Sequence, residues 1–145
     1  MNHSENAFAD WTKFFIPYCD GSLHQGYTKE PVKYKDAQLY FRGAAITRSH
    51  IKWIDLKYGL KSANKVFLTG MSAGSVAVNI WSNYVKDYVG DANKVYSVAD
   101  SGIFNNFPSI HGEMVTELLM KNIYAVANIN EPTPNAECTK NMPGQ

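Results

Sequence analysis

The sequence predicts an α/β fold in which a parallel sheet is connected by helical crossovers. Short segments rich in β-branched and aromatic residues alternate with segments whose apolar residues recur at helical spacing. This alternation of strand and helix is the pattern of a parallel sheet with crossover helices. A sheet of three or four strands leaves exposed edges and needs both faces covered. Residues 1–145 are therefore interpreted as the central part of one larger α/β domain.

The composition is that of a folded domain. The 145 residues are 45% hydrophobic and 13% aromatic, which is enough to build a packed core. A charged fraction of 19% and a net charge of +1, with no lysine or arginine run longer than two residues, argue against disorder and against nucleic-acid binding. Neither an apolar stretch long enough for a transmembrane helix nor a signal peptide is recognised.

The N-terminal third contains two predicted strands. Phe14–Tyr18 is a short apolar run typical of a buried strand, with Pro17 near its end. The stretch Cys19–Lys35 contains two glycines and a proline and is interpreted as a long surface insertion. Leu39–Phe41 is the second predicted strand, and Gly43 closes it.

The first helix is predicted over Thr47–Tyr58. Three of its apolar residues fall on one helical face: Ile51, Ile54 and Tyr58. Either Thr47 or Ser49 is suited to cap its N-terminus, and Gly59 occupies the position of a C-terminal glycine.

The middle of the chain predicts a strand, a helix and a second strand. Lys65–Thr69 is a compact apolar strand, and a helix follows from Ala73 until Gly90 ends it. The apolar stripe of this helix consists of Val76, Ala77, Ile80, Trp81, Tyr84 and Tyr88. Lys94–Ala99 is the next strand, which Asp100-Ser101-Gly102 interrupts.

A last amphipathic helix is predicted over Gly112–Asn128. Its apolar residues recur at the spacing of one helical face. Pro132 and Pro134 follow, and because proline cannot continue a helix they are expected to terminate this one.

The motif Gly70-Met71-Ser72-Ala73-Gly74 lies between the predicted strand and helix of the middle segment. Gly-x-Ser-x-Gly alone is a weak signal, but a strand directly before it and a helix directly after it are what a nucleophile elbow requires. Gly70 and Gly74 are expected to remove β-carbons that would collide across the tight turn. The motif therefore predicts a serine nucleophile at the turn.

The chemistry of such an elbow assigns two roles. The turn lifts the hydroxyl of Ser72 above the sheet, where an acyl carbonyl can reach it, and the backbone N–H of Ala73 at the start of the helix is placed to stabilise the developing oxyanion. The competing interpretation is a glycine-flanked serine that caps a helix and has no chemistry.

A serine nucleophile needs a histidine base and an orienting carboxylate. Asp100 and His111 follow Ser72 in the chain order that this architecture uses, Ser, acid, His. They lie close together in sequence, however, whereas the acid and the histidine usually follow later strands. Asp100 and His111 are therefore weak candidates, and the alternatives are a turn residue and an exposed loop histidine. The upstream histidines are in the wrong chain order: His3, His24 and His50.

Four strings together resemble the pectin acetylesterase/Notum family of carboxylesterases. They occur in the family's order and approximate spacing: Tyr18-Cys19-Asp20-Gly21-Ser22, Leu39-Tyr40-Phe41-Arg42-Gly43, Gly70-Met71-Ser72-Ala73-Gly74, and Asp100-Ser101-Gly102 with Phe104. The resemblance spans about Ala7 to Cys138. It implies an α/β-hydrolase fold and a serine esterase that removes an acyl group, expected to be acetyl, from an O-ester such as acetylated pectin. The animal branch of the family acts on a fatty-acylated signalling protein.

The chain departs from the family pattern in several places. Met71 stands where cysteine is frequent, and Ser75 replaces a second glycine after Ser-Ala. No glycine-rich stretch precedes Trp11, and the family's acid and histidine lie well downstream of the Asp-Ser-Gly string. The chain is thus expected to be an internal piece of such an enzyme with little activity alone. The alternative is a non-catalytic binding or interaction domain derived from the same fold.

The resemblance also bears on compartment and ligands. Family members are secreted and disulfide-bonded, which implies that Cys19 and Cys138 pair with each other or with other cysteines. From the residues alone, two unlinked thiols remain open. The expected partner is an ester substrate, an acylated polysaccharide or an acylated protein. No metal or other cofactor is expected.

Overall fold

The computed structural model describes residues 5–128 and residue 140. It confirms an α/β arrangement with a parallel strand pair and a helical crossover. The strands are β1 (Val32–Tyr34), β2 (Ala37–Leu39), β3 (Val66–Met71) and β4 (Val95–Asp100), and the helices are α1 (Gly43–Tyr58), α2 (Ala73–Val89) and α3 (Val115–Ala127). Single 3-10 turns, Leu60–Ser62 and Ala92–Lys94, precede β3 and β4.

The unit β3–α2–β4 positions the predicted elbow. β3 and β4 pair in parallel, from Val66 opposite Val95 to Met71 opposite Asp100. The helix α2 connects the end of β3 to the start of β4, as the crossover of a parallel pair requires. It ends at Gly90, whose left-handed backbone (φ 81°) lets its N–H donate to the carbonyl of Lys86. The predicted strand–helix–strand order is confirmed.

The predicted N-terminal strands are largely wrong. Residues 12–19 contain no strand, although Phe14–Tyr18 was predicted to be one. Of the predicted strand Leu39–Phe41, only Leu39 belongs to β2. This strand pairs with β1 in an antiparallel hairpin, and β1 lies within the predicted insertion. Within residues 5–128 the parallel sheet therefore has two strands rather than three or four.

The helix α1 begins at Gly43, before the predicted start at Thr47. Neither Thr47 nor Ser49 caps it, and both lie inside the helix. A residue distant in sequence takes the capping role, because Asp20 Oδ2 accepts hydrogen bonds from the Gly43 N–H (2.5 Å) and from Ser22 Oγ (2.6 Å).

The C-terminal helix and the end of α1 agree better with the prediction. Gly59 ends α1 in the left-handed conformation (φ 69°), as predicted. The helix α3 begins at Val115 rather than at the predicted Gly112, and it ends at Ala127, with Asn128 as its left-handed C-cap (φ 49°). Pro132 and Pro134 lie outside the described residues, so their predicted role stays a prediction.

The core joins α1, α2 and β4. Its buried members are Ala44, Ile51, Trp81, Val85, Val89 and Val95. Trp81 is 2% exposed, and its indole Nε1 donates to the carbonyl of His24 (3.1 Å). The segment Ser22–His24 is itself buried, so this part of the predicted surface insertion belongs to the interior. A buried indole needs a hydrogen-bond acceptor, and this loop supplies it.

Cys19 is exposed and its thiol is free, whereas Cys138 lies outside the described residues. In the described part of the chain, no helix is long and apolar enough to cross a membrane. Among the same residues, no cluster of histidine, cysteine and carboxylate side chains is arranged to hold a metal ion.

Candidate active site

Ser72 lies at the turn between the end of β3 and the start of α2. Its backbone has φ 55° and ψ −115°, and the region of positive φ is uncommon for any residue other than glycine. The Ser72 N–H donates to the carbonyl of Asp100 (3.2 Å), which continues the pairing of β3 with β4 by one residue. The turn is thus held from the neighbouring strand and from the helix that follows.

The two motif glycines have different reasons to be glycine. A β-carbon on Gly70 would overlap the backbone of Gly74, 2.5 Å from its carbonyl carbon. The expected collision across the turn is therefore confirmed for Gly70. It is wrong for Gly74, because a β-carbon there would meet no atom within 4 Å apart from the adjoining residues and backbone of its own helix. Gly74 instead provides the backbone atoms that a β-carbon on Gly70 would overlap.

The side chain of Ser72 does not cap α2. Ser72 occupies the N-cap position, but its hydroxyl accepts no hydrogen bond from the first turn of the helix. Within residues 5–128 this hydroxyl has no hydrogen-bond partner, and the residue is exposed. The side-chain cap of the competing interpretation is therefore absent, whereas the nucleophilic role of Ser72 stays a prediction.

Hydrogen bonds to its carbonyl oxygen fix the orientation of the peptide group between Ser72 and Ala73. The Ser72 carbonyl accepts from the backbone N–H groups of Ser75 (2.9 Å) and Val76 (3.4 Å) and from Ser75 Oγ (2.5 Å). The Ala73 N–H has no partner within residues 5–128, as is usual in the first turn of a helix. The first turn contains no acidic residue, so the positive end of the helix dipole is not neutralised there.

Asp100 is the last residue of β4 and lies directly across from Met71. Its carboxylate Oδ1 accepts from the hydroxyl of Ser101 (2.9 Å), and Ser101 has a left-handed backbone (φ 53°). Asp100 thus contacts the elbow through its backbone carbonyl, while its side chain bonds within the turn that follows β4. This arrangement fits the predicted alternative of a turn residue.

His111 is exposed in the loop between β4 and α3, where its backbone N–H donates to Ser109 Oγ (3.2 Å). Within residues 5–128 no hydrogen bond joins the His111 imidazole to Ser72 or to Asp100. The three residues of the weak candidate triad are therefore not assembled by hydrogen bonds.

Sequence reasoning missed the contact between Ser75 and Gly102. Ser75 is fully buried, and Gly102 packs so closely against it that a β-carbon on Gly102 would lie 2.5 Å from Ser75 Cβ. The departure of Ser75 from the family pattern was the available signal, but sequence alone does not reveal which residue beyond the next strand faces it.

A wide groove in the described part of the chain lies away from the elbow. It has a volume of about 960 Å³ and lies between α1, the first residues of β3 and the N-terminal segment. Phe8, which stacks on Phe67 (ring centroids 4.9 Å apart), lines this groove, and Ser72 does not. The surface beside Ser72 is instead open, and the preceding Met71 is 69% exposed.

Comparison with known proteins decides the family. The sequence model of the Pectinacetylesterase family matches residues 1–145, the whole chain. The chain belongs to the pectinacetylesterase family. No solved structure matches it.

Curated members of the family agree with this assignment. Pectin acetylesterase 5 of Arabidopsis thaliana is 35% identical over 105 residues, which are 72% of this chain and 24% of that protein. Pectin acetylesterase 11 of the same plant is 29% identical over 137 residues, which are 93% of this chain and 34% of that protein. The chain thus spans between about a quarter and a third of the length of these curated relatives.

Proposed function

We propose that this chain carries the nucleophile of a carboxylic ester hydrolase, with Ser72 as the attacking residue. The observation that carries the proposal is the backbone of Ser72, a non-glycine residue at φ 55° whose hydroxyl neither caps the helix nor bonds elsewhere within residues 5–128. Such a conformation costs about 1–3 kcal/mol and clusters at functional sites. A strand before it and a helix after it complete the context of an elbow.

The proposed reaction proceeds through an acyl-enzyme. Ser72 Oγ attacks the ester carbonyl carbon as its proton passes to a general base, and the negative charge forms on the carbonyl oxygen. The Ala73 N–H donates to that oxyanion. The C–O bond to the alcohol then breaks, and the base returns the proton to the leaving alcohol. Water, deprotonated by the same base, then attacks the acyl carbon. The bond from that carbon to Ser72 Oγ breaks, the base returns the proton to Oγ, and the carboxylic acid is released.

The base is the part of the mechanism that this chain supplies least well. Family resemblance places the acid and the histidine well downstream of the string Asp100-Ser101-Gly102. No histidine is hydrogen-bonded to Ser72 within residues 5–128. Since loss of a triad member removes several orders of magnitude of rate, we expect slow turnover from the 145-residue chain.

The proposed substrate is an acetylated polysaccharide such as pectin, and the proposed location is extracellular. The relatives named pectin acetylesterase support the acetyl ester and the pectin backbone. Family resemblance supports secretion.

Active-site labelling tests the nucleophile. The chain is incubated with a fluorophosphonate, and the adduct is located by tandem mass spectrometry. We expect the phosphonyl group on Ser72, in the tryptic peptide 66–86, and no adduct in Ser72→Ala, because that variant lacks the attacking oxygen. Ser101→Ala is the matched control, since Ser101 is also exposed, also has positive φ and lies just beyond the neighbouring strand.

Two results would contradict the assignment: an adduct on another residue of the wild-type chain, or labelling that survives in Ser72→Ala. Absence of any adduct would favour the non-catalytic alternative for this chain. The substrate is tested separately, by measuring acetate released from acetylated pectin by the wild-type chain and by Ser72→Ala.

A further inference from the structure

We infer that Ser75 positions the oxyanion donor of the site, acting through the peptide group between Ser72 and Ala73. This inference rests on the proposed function of Ser72. It concerns a residue where the chain departs from its family's pattern, so the family's known machinery does not include it.

Ser75 is placed to act on one particular carbonyl. Its side chain is fully buried in the first turn of α2, and its Oγ–H donates to the Ser72 carbonyl at 2.5 Å. Serine hydroxyls in helices often bond back to the carbonyl three or four residues earlier. Here the accepting carbonyl belongs to the residue whose φ is 55°, at the point where the chain turns from strand into helix.

The geometry of the peptide group transmits this contact to the proposed donor. The Ser72 carbonyl and the Ala73 N–H belong to the same planar trans peptide, so fixing the direction of one fixes the direction of the other. The Ser72 carbonyl accepts three hydrogen bonds, two from backbone N–H groups and one from Ser75 Oγ. Hydrogen bonds also polarise one another along a chain, so a bond to the carbonyl strengthens the donor at the other end of the same amide.

Gly102 holds Ser75 from the other side. Gly102 lies in the turn that follows β4, and a β-carbon on it would overlap the Ser75 side chain. The hydroxyl is therefore confined between the turn after β4 and the first turn of α2. This confinement keeps Ser75 directed at the Ser72 carbonyl rather than at solvent.

The test compares Ser75→Ala with Ser82→Ala. Both variants delete a serine hydroxyl in α2 that bonds back to a carbonyl about one turn earlier. The Ser82 hydroxyl donates to the Val78 carbonyl, away from the elbow. With a fluorophosphonate, we expect Ser75→Ala to lower the maximal rate of phosphonylation of Ser72 about five- to ten-fold, the worth of one hydrogen bond, while the half-saturating probe concentration is unchanged. Ser82→Ala is expected to keep the wild-type rate.

A second measurement does not depend on reactivity. The ¹⁵N–¹H resonance of Ala73 is compared by NMR in wild type, Ser75→Ala and Ser82→Ala. We expect it to shift in Ser75→Ala alone, because the carbonyl of its own peptide group loses a hydrogen bond. An unchanged Ala73 resonance overturns the inference, as does an unchanged phosphonylation rate.

The two proposals fail in different ways. If Ser72 of the wild-type chain is not labelled, the nucleophile assignment fails, whatever the Ala73 resonance does. If Ser72 is labelled equally fast in wild type and Ser75→Ala, the nucleophile assignment stands and the positioning role of Ser75 is wrong. A loss that appears equally in Ser82→Ala reflects general helix destabilisation and also counts against a specific role of Ser75.

Discussion

Ser72 combines a costly backbone conformation with an unused hydroxyl. Its φ of 55° places the residue in a region that favours glycine, and no hydrogen bond within residues 5–128 recruits its side chain in return. The surrounding contacts enforce the conformation, since the Ser72 N–H bonds to Asp100 and its carbonyl to the first turn of α2. The stability of the fold is thus reduced at the residue that we propose to be chemically active.

Substitution of Ser72 by glycine tests whether the positive φ of this residue lowers the stability of the fold. We expect Ser72→Gly to raise the free energy of unfolding by about 1 kcal/mol, because relief of the positive-φ strain outweighs the extra entropy of glycine in the unfolded chain. Urea denaturation measures the change. Ser72→Ala is the control, since alanine keeps the β-carbon and the strain; an equal gain in both variants would contradict the explanation.

At the level of elements, the end of β3 and the first turn of α2 can lie this close together only because residue 70 is glycine. The backbone of Gly74 occupies the space that a β-carbon on Gly70 would need, whereas the space beside Gly74 itself is open. The Gly-x-Ser-x-Gly pattern therefore contains one glycine required by contact and another that is not. A sequence motif treats the two alike, and only the coordinates separate them.

Alanine substitutions at the two glycines should have opposite effects. Gly70→Ala is expected to destabilise the chain by about 3 kcal/mol, because the rigid backbone of Gly74 cannot move aside as a side chain would. Gly74→Ala is expected to stabilise it by up to about 1 kcal/mol, since alanine favours the helix. Thermal unfolding of both variants measures this, and equal destabilisation by both substitutions would show that the assignment of the contact is wrong.

An element can be predicted from the sequence where interactions between residues close in sequence determine it. β3, α2 and β4 were predicted because apolar runs, helical periodicity and Gly90 are all local signals. The start of α1 was missed because its cap, Asp20, lies far away in sequence. Phe14–Tyr18 has the composition of a strand, but composition does not supply a pairing partner.

The same distinction applies to the candidate site. The position of Ser72 and the start of α2 at Ala73 were predictable from the motif and its flanks, whereas the contact of Ser75 with Gly102 depends on the register of β3 and β4. The roles of Ser72 and Ala73, and the placement of residues 1–145 inside one larger domain, stay predictions.

On the scale of the whole molecule, a buried histidine connects stability to pH. His24 lies in the interior loop that accepts the hydrogen bond of Trp81, and its ring stacks on Tyr18 with centroids 5.0 Å apart. Burial lowers the pKa of His24, an effect that the nearby charge of Asp20 partly opposes. Protonation of His24 therefore favours the unfolded chain.

The sign of the pH dependence follows directly. Above the ordinary histidine pKa of about 6.5 this contribution to stability is fully present, and it declines as the pH falls through that value toward the lower pKa of the folded state. We expect the free energy of unfolding of His24→Asn to fall less than that of the wild type between about pH 8 and about pH 5.5. Asparagine is chosen because it tolerates the left-handed backbone of this position (φ 61°). Urea denaturation at these two pH values measures the free energy of unfolding.

His111→Gln is the control for that experiment because His111 is exposed in a loop. The free energy of unfolding of His111→Gln should fall between the two pH values by the same amount as that of the wild type. A slope that stays the same in His24→Asn would mean that the acid sensitivity of the fold originates elsewhere.

The three hydrogen bonds on the Ser72 carbonyl limit how the proposed catalyst can be altered. The ψ angle of Ser72 sets the plane of the peptide that contains the Ala73 N–H, so the attacking residue and the stabilising donor share one rotatable bond. A protein engineer can reshape the open surface around Met71 to admit a different ester. The same engineer cannot change the contacts on the Ser72 carbonyl without also turning the Ala73 N–H relative to the nucleophile, because the ψ angle of Ser72 fixes the one with respect to the other.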